Sequence, residues 1–314
     1  MTYAGNKPTP SILVLNGPNL NLLGQREPAL YGSKTLADVH ADLLAAAQHS
    51  GATIDFRQSN NEGVLIDAVQ EAMTDFDGVI INPGGLSHSS VSLRDALAML
   101  SVPVVEVHIT NILAREKFRH HSYISGIATA VIVGAGTGGY ELALAHLLKL
   151  LSVQTTEPTP ASRAASVLML SGPNLNFLGL REPKIYGHDT LADIEQQANI
   201  KADHLDLNLD FRQSNSEAVL IEAAQEAMSH FDALVINPAG LTFTSVALRD
   251  ALAMLQVPVI ELHISNVMAR EEYLHHSLIS PIATAIIMGA GVNGYLLALD
   301  HVSRLMRVRR DPEA

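Results

Sequence analysis

Residues 12–32 read ILVLNGPNLNLLGQREPALYG, and the rest of the chain is organised around this segment. An apolar run, Ile12–Leu15, predicts a strand, and the glycines and prolines after it disfavour a long helix and predict an ordered but mobile loop. The loop carries Arg26 and Tyr31 five residues apart. Packing does not require such a pair on a solvent-facing loop, whereas proton-transfer chemistry could use it.

The chain repeats itself at a constant offset of 155 residues. The opening stretch returns as VLMLSGPNLNFLGLREPKIYG at residues 167–187, and more than half of all positions from residue 11 onward agree without a gap. Solenoid repeats run to only about 20–50 residues, so this repeat predicts tandem duplication of a whole domain. We predict the following boundaries: a disordered leader at 1–10, a domain at 11–151, a Thr/Pro-rich linker at 152–165, a second domain at 166–308 and a tail at 309–314.

The composition narrows the class of protein. A chain of 314 residues with 47% hydrophobic residues can bury two cores and is not disordered. The formal net charge of −12 argues against a nucleic-acid binder, and no apolar run reaches the roughly 18 residues of a membrane helix. The absence of Cys fits a reducing compartment, so we expect a cytoplasmic protein.

Apolar segments alternate with helical spacing in each copy, which predicts an α/β fold. Five βα units with apolar strands indicate a doubly wound parallel sheet covered by helices on both faces. Such sheets place their sites beyond the carboxyl ends of the strands. The predicted strands of the first copy are 12–16, 53–57, 78–82, 104–109 and 130–133, and the predicted helices are 36–48, 63–74, 90–100 and 139–150.

Two pairs of residues suit acid–base chemistry. Glu106 and His108 leave a predicted strand on the same face, where a carboxylate can orient an imidazole and raise its pKa. A buried ion pair would look the same, but the position after a central strand favours a general acid. A tyrosine needs a nearby cation to act as a base, since its reference pKa is about 10, and Arg26 can supply one for Tyr31. A tyrosine that only packs the loop onto the domain is the alternative.

Further polar residues follow the third and fourth strands. Residues 82–88 offer amide and imidazole donors in a glycine-rich turn, and Asp95 after Arg94 is typical of a solvated or interface salt bridge. Arg115 and Arg119 are predicted on one face of a short helix, where they could meet an anion or simply face solvent. His120-His121 has no zinc-site spacing, and we expect neither a metal nor another cofactor.

Together these motifs resemble type II 3-dehydroquinate dehydratase (type II dehydroquinase). The likeness covers residues 11–150 and again 166–305, and its motifs are dense and in order. In the first copy they are Gly17-Pro18-Asn19-Leu20-Asn21-Leu22-Leu23-Gly24, Arg26-Glu27-Pro28, Tyr31-Gly32, Phe56-Arg57-Gln58-Ser59-Asn60, Asn82-Pro83-Gly84-Gly85, His88, Leu93-Arg94-Asp95-Ala96-Leu97, Glu106-Val107-His108-Ile109, Ala114-Arg115-Glu116 and His121-Ser122.

The resemblance implies a flavodoxin-like domain and a metal-free anti elimination of water from 3-dehydroquinate through an enolate. It implies that Tyr31 is the base and that Arg26 lowers its pKa. His108, oriented by Glu106, would be the acid, and Asn19 would hold a water that stabilises the enolate.

The resemblance also implies the contacts with substrate. The backbone of Ile109 and the hydroxyl of Thr110 would bind the carboxylate. The ring hydroxyls would be held by Asn82, His88 and Arg119. An aspartate at the position of Asp95 usually reaches in from a neighbouring domain, because the family forms trimers grouped into dodecamers. We therefore expect a homo-oligomer, with a hexamer of two-domain chains as one form, and no nucleic-acid or membrane partner.

The second copy keeps most of these residues but changes two. Phe243 stands at the position of His88, and Leu274 at that of Arg119. Each ring hydroxyl left unpaired would cost roughly 1–3 kcal/mol, so we expect the second copy to bind this substrate poorly. The retained residues are Asn174, Arg181, Tyr186, Asn237, Asp250, Glu261, His263, Ile264 and Ser265.

Other readings stay open at this point. Both copies could be active, or the second could have only a ligand-binding or assembly role. A metabolite sensor without turnover is a further alternative, against which the intact Tyr31, Arg26 and His108 count. The same reaction serves aromatic biosynthesis and quinate breakdown, and the sequence does not distinguish them.

Overall fold

The chain divides into two compact units, residues 1–156 and 157–314. The computed structural model describes residues 9–25, 31–151, 164–180 and 182–310. Most of the predicted leader and linker, and the end of the predicted tail, lie outside the described residues.

The first unit contains a parallel sheet whose strands pair in the order β2-β1-β3-β4-β5. This order is that of flavodoxin-like doubly wound folds, so the predicted fold class is confirmed. Each strand agrees with its predicted bounds to within one residue. The strands are β1 (Ser11–Asn16), β2 (Thr53–Gln58), β3 (Gly78–Asn82), β4 (Val104–His108) and β5 (Ala130–Val133).

Helices cover both faces of this sheet. They are α1 (Leu36–His49), α2 (Glu62–Glu71), α3 (Val91–Ala98) and α4 (Gly139–Leu150). Alternate residues of β1 and β3, such as Leu13 and Ile81, pack with Leu65 of α2 and Leu97 of α3 in one buried cluster. Burying each such side chain contributes about 1.5–3 kcal/mol, which makes this face a major source of stability.

The start of α1 shows how local sequence fixes a helix end. The backbone N–H of Asp38 donates to Thr35 Oγ1 at 3.2 Å, and the N–H of Thr35 donates to the Asp38 carboxylate at 2.7 Å. This capping box satisfies two backbone groups that a helix start leaves without partners. The second unit repeats it at Thr190 and Asp193.

The second unit repeats the first, with parallel strands in the order β7-β6-β8-β9-β10. None of the described helices is long and apolar enough to cross a membrane. The strands are β6 (Ala165–Ser171), β7 (Leu207–Gln213), β8 (Ala233–Asn237), β9 (Val259–His263) and β10 (Ala285–Met288). The helices are α5 (Pro183–Tyr186), α6 (Leu191–His204), α7 (Glu217–His230), α8 (Val246–Ala253) and α9 (Asn293–Arg310).

Candidate active site

In the first unit a cavity of about 230 Å³ is lined by residues that end or follow β1, β3 and β4. Because these strands are neighbours and parallel, their carboxyl ends share one edge of the sheet. The cavity brings together most of the residues predicted for the site: Asn19, Tyr31, Asn82, His88, His108, Ile109, Thr110 and Arg119.

Glu106 and His108 form the predicted pair at the end of β4. The Nε2 atom of His108 lies 2.8 Å from Oε1 of Glu106, whose side chain is fully buried. The carboxylate also accepts a hydrogen bond from Ser122 Oγ at 2.6 Å and another from Ser125 Oγ. Burial raises the pKa of Glu106, but the charge and hydrogen bond of His108 and the two serine hydroxyls outweigh it and hold that pKa below its usual range. Glu106 is therefore a fixed negative charge behind the imidazole.

Among the described residues, Arg115 is the cation beside Tyr31. Its guanidinium donates a hydrogen bond of 2.8 Å to Tyr31 Oη and approaches Thr110 Oγ1 at 3.5 Å. The carbon at the centre of the guanidinium lies 5.8 Å from the centroid of the Tyr31 ring. Arg26, the cation predicted from the sequence, lies outside the described residues, so its role stays a prediction.

The prediction that Arg115 and Arg119 share one face of a short helix is wrong. Two separate 3-10 turns, Ile112–Ala114 and Lys117–Arg119, replace that helix. Arg115 lies between them with φ −105° and ψ −157°, an extended conformation that no helix contains. The bend turns Arg115 toward Tyr31, while Nε of Arg119 donates to Glu116 at 2.9 Å.

A buried network that the sequence analysis missed holds Asn82. Its Nδ2 atom donates to Tyr140 Oη at 3.0 Å, and that hydroxyl donates to Asn16 Oδ1 at 2.6 Å. Asn82 Oδ1 accepts from the backbone N–H of Gly84 at 3.3 Å. Since Tyr140 is fully buried, the network fixes the orientation of the Asn82 amide at the cavity wall.

His88 stands beside His108, with ring centroids 6.4 Å apart and planes at 16°. Its Nδ1 atom lies 2.9 Å from the carbonyl oxygen of His121. A carbonyl only accepts, so Nδ1 carries the proton and Nε2 is the acceptor in the neutral ring. Burial lowers the pKa of His88, and the positive charges of His108 and Arg119 lower it further.

Asn19 lies at the rim of the cavity, whereas Asp95 lies outside it. Asn19 is in the left-handed region with φ 69°, and its backbone N–H donates to Asn60 Oδ1 at 2.9 Å, which fixes the turn at the cavity rim. Asp95 does not line the cavity of its own unit. Its side chain is 61% exposed and pairs with Arg94 at 2.8 Å.

The second unit has a corresponding cavity of about 360 Å³. His263 Nε2 lies 2.8 Å from Glu261 Oε1, and Arg270 donates to Tyr186 Oη at 2.8 Å. The ring of Phe243 stands where His88 stands in the first unit, with its centroid 6.4 Å from that of His263. The cavity is also lined by Asn174, Asn237, Ile264, Ser265 and Leu274.

Of the described residues predicted for the second site, Glu261 and Asp250 do not line that cavity. Asp250 is 64% exposed and pairs with Arg249 at 2.8 Å, as Asp95 does with Arg94. Arg181 lies outside the described residues. In the part of the chain that the structure describes, no group of three or more His, Asp or Glu side chains could hold a metal ion.

The fold and the two cavities define a doubly wound α/β protein with a tyrosine–arginine pair and a histidine–glutamate pair at each site. The family model for dehydroquinase class II matches residues 10–148 and again residues 165–303. The chain therefore belongs to this family, as a tandem duplication of its domain. The predicted resemblance and the prediction that the chain is an enzyme are confirmed.

Each of the following relatives matches this chain over about the length of one domain. The 3-dehydroquinate dehydratase of Herminiimonas arsenicoxydans is 59% identical over 142 residues, which are 45% of this chain and 98% of that protein. Catabolic 3-dehydroquinase 2 of Aspergillus flavus is 57% identical over 142 residues, 45% of this chain and 95% of that protein. The crystal structure of type II dehydroquinase from Propionibacterium acnes is 45% identical with a TM-score of 0.44, and the match covers 45% of this chain and 97% of that one.

Proposed function

We propose that the chain dehydrates 3-dehydroquinate to 3-dehydroshikimate and that the first unit carries most of the turnover. One observation carries the proposal: Tyr31 with its cation Arg115, and His108 with its carboxylate Glu106, meet at one cavity of about 230 Å³. Family membership and the names of the relatives support the same reaction.

In the proposed mechanism Tyr31 removes a proton from the carbon between the ketone and the carbon that bears the leaving hydroxyl. The guanidinium of Arg115 stabilises the negatively charged phenolate of Tyr31 before the phenolate takes that proton. The electron pair of the broken C–H bond passes through an enolate into a new C=C bond. The hydroxyl then leaves as water with a proton from His108, whose positive form Glu106 stabilises.

The remaining cavity residues position the substrate in this proposal. Ile109 and Thr110, directly after β4, would bind the carboxylate, and Asn19 would hold a water against the enolate oxygen. The buried network of Tyr140 gives Asn82 a fixed amide for a ring hydroxyl. His88 Nε2 and the Arg119 guanidinium would meet the other hydroxyls, which suits a substrate rich in them.

We propose that the second unit contributes little to this reaction. Its acid and base pairs are intact, but Phe243 and Leu274 replace the hydrogen-bonding groups that hydroxyls would need. A hydroxyl buried against an apolar wall loses its hydrogen bonds to water without replacement.

The experiment compares Tyr31→Phe with the matched variant Tyr186→Phe, following the absorbance of the conjugated product. We expect Tyr31→Phe to abolish dehydration of 3-dehydroquinate and Tyr186→Phe to retain nearly all of it. About half the rate surviving in each would show that both units work. An unaltered chain without activity would overturn the proposed reaction itself.

We also propose that the chain assembles as a homo-oligomer, with a hexamer of two-domain chains as one form. The exposed carboxylates of Asp95 and Asp250 support it, because neither reaches the cavity of its own unit. Size-exclusion chromatography with light scattering would contradict the proposal if it found only single chains.

A further inference from the structure

The second cavity has the same polar acid–base residues as the first cavity but different residues at the wall that would hold the ring hydroxyls in the first. Tyr186, Arg270, His263 and Glu261 repeat the hydrogen bonds of the first unit at the same distances of 2.8 Å. Ser277 and Ser280 donate to the Glu261 carboxylate, as two serines do in the first unit. The acid–base set of the second unit is therefore geometrically complete.

The changed wall is apolar. Phe243 and Leu274 replace an imidazole and a guanidinium, and the cavity is about 360 Å³ against about 230 Å³ in the first unit. Phe243 faces the imidazole of His263 at 6.4 Å between centroids, so its ring borders the acid directly. A ligand that fits would be polar where it faces His263, Tyr186 and Asn237 and apolar where it meets Phe243 and Leu274.

The segment at the rim of the second cavity is also less positive than the matching segment of the first. With histidines neutral, residues 115–121 carry a formal charge of +2, whereas the matching residues 270–276 carry −1. The difference comes from Glu272 at the position of Lys117 and from Leu274 at that of Arg119. Among the described residues that line the second cavity, Arg270 is the cation, and its pKa is raised: burial lowers it, but the hydrogen bond with Tyr186 and nearby negative groups raise it more.

We propose that the second unit is a separate active site for a cyclic β-hydroxy ketone carboxylate whose ring lacks the further hydroxyls of 3-dehydroquinate. This inference rests on the reaction proposed above, because it assigns the same elimination to a different substrate. The carboxylate is retained in the proposed ligand because Ile264 and Ser265 repeat the Ile–hydroxyl pair that follows the strand in the first unit.

The reaction balances without any further reactant. Tyr186 takes the proton from the ring carbon next to the ketone, and the C–H electron pair forms the new C=C bond. The C–O bond to the hydroxyl breaks, and the hydroxyl leaves as water with a proton from His263. The product is a conjugated enone, and the elimination is redox-neutral overall, so it needs no oxidant or reductant.

The substrate preference of the second unit follows from its apolar wall of Phe243 and Leu274. An unsubstituted ring edge loses nothing on contact with Phe243 and Leu274 and removes apolar surface from water. A hydroxyl in the same place loses its hydrogen bonds to water. This loss typically lowers kcat/KM by about tenfold or more for each hydroxyl. We therefore expect the second unit to prefer the deoxygenated ring, the reverse of the first unit.

The probe is 1-hydroxy-3-oxocyclohexane-1-carboxylate, which keeps the reacting atoms of 3-dehydroquinate and lacks the two other ring hydroxyls. In the full chain carrying Tyr31→Phe, we expect kcat/KM for the probe to exceed that for 3-dehydroquinate by about tenfold or more. Adding Tyr186→Phe should remove probe turnover, while calorimetry should still show one probe molecule bound per chain.

A pair of wall exchanges gives the matched controls. In the Tyr31→Phe chain, Phe243→His with Leu274→Arg should reverse the preference toward 3-dehydroquinate. In a Tyr186→Phe chain, His88→Phe with Arg119→Leu should shift the substrate preference of the first unit toward the probe.

Three results would overturn the inference: no probe turnover in the Tyr31→Phe chain, probe turnover that survives Tyr186→Phe, or a preference of the second unit for 3-dehydroquinate. The tyrosine variants decide this even if a wall exchange fails to fold. Activity of the unaltered chain on 3-dehydroquinate reports separately on the proposed function.

Discussion

Replacing Glu106 by Gln removes the charge behind His108 while keeping the size of the side chain. Glu106 Oε1 accepts from His108 Nε2 at 2.8 Å and from Ser122 Oγ at 2.6 Å, and Oε2 accepts from Ser125 Oγ. A Gln oxygen can take the first position, and the Ser125 hydroxyl can rotate to accept from the amide. The fold should therefore survive, and the change should isolate the missing charge.

The size of the effect follows from the geometry. A hydrogen bond to a charged group is worth about 1.5–3 kcal/mol, and Glu106 provides one to the protonated His108 in full burial. If that interaction stabilises the transition state, kcat for 3-dehydroquinate should fall by about 10- to 150-fold, at about 1.4 kcal/mol per tenfold. KM should change little, since Glu106 does not line the cavity.

The second unit supplies the matched control. Glu261 has the same partners in His263, Ser277 and Ser280, so Glu261→Gln should alter thermal unfolding by a similar amount. We expect it to leave dehydration of 3-dehydroquinate nearly unchanged. Full activity in Glu106→Gln, or an equal loss in Glu261→Gln, would refute the assignment of the acid to His108 of the first unit.

Substitutions at other single positions should change activity or stability in the following ways. Arg115→Met removes the 2.8 Å hydrogen bond to Tyr31 and should lower kcat by about 10- to 100-fold in steady-state assays. Ala239 has φ 52° where Gly84 has φ 57°, so in urea unfolding Ala239→Gly should stabilise and Gly84→Ala destabilise the chain, each by about 1 kcal/mol. Burial, with a smaller effect of Arg304, lowers the pKa of His301 from 6.5 to about 4. Below pH 6.5 the unfolded chain binds a proton that the folded chain accepts only near pH 4, so stability should fall over that window by up to about 3 kcal/mol, and His301→Leu should flatten the fall.

Much of the fold could be predicted from the sequence because it depends on short-range patterns. Apolar runs such as Gly78–Asn82 mark buried parallel strands, and the offset between Tyr31 and Tyr186 reveals the duplication. The polar residues at strand ends were also predictable, since neighbouring parallel strands must bring their carboxyl ends to one edge. Glu106 and His108 needed only the two-residue period of a strand.

The contacts between loops could not be read from the sequence. Arg115 meets Tyr31 across 84 residues, and Ser125 meets Glu106 across 19. The repetition of Ser122 and Ser125 at the constant offset was a signal, but it did not say which group they contact. The order of the amino acids was enough to predict two duplicated α/β domains and the residue types at their sites. Which residues become partners depends on how distant loops pack, because a hydrogen bond forms only within about 3.5 Å.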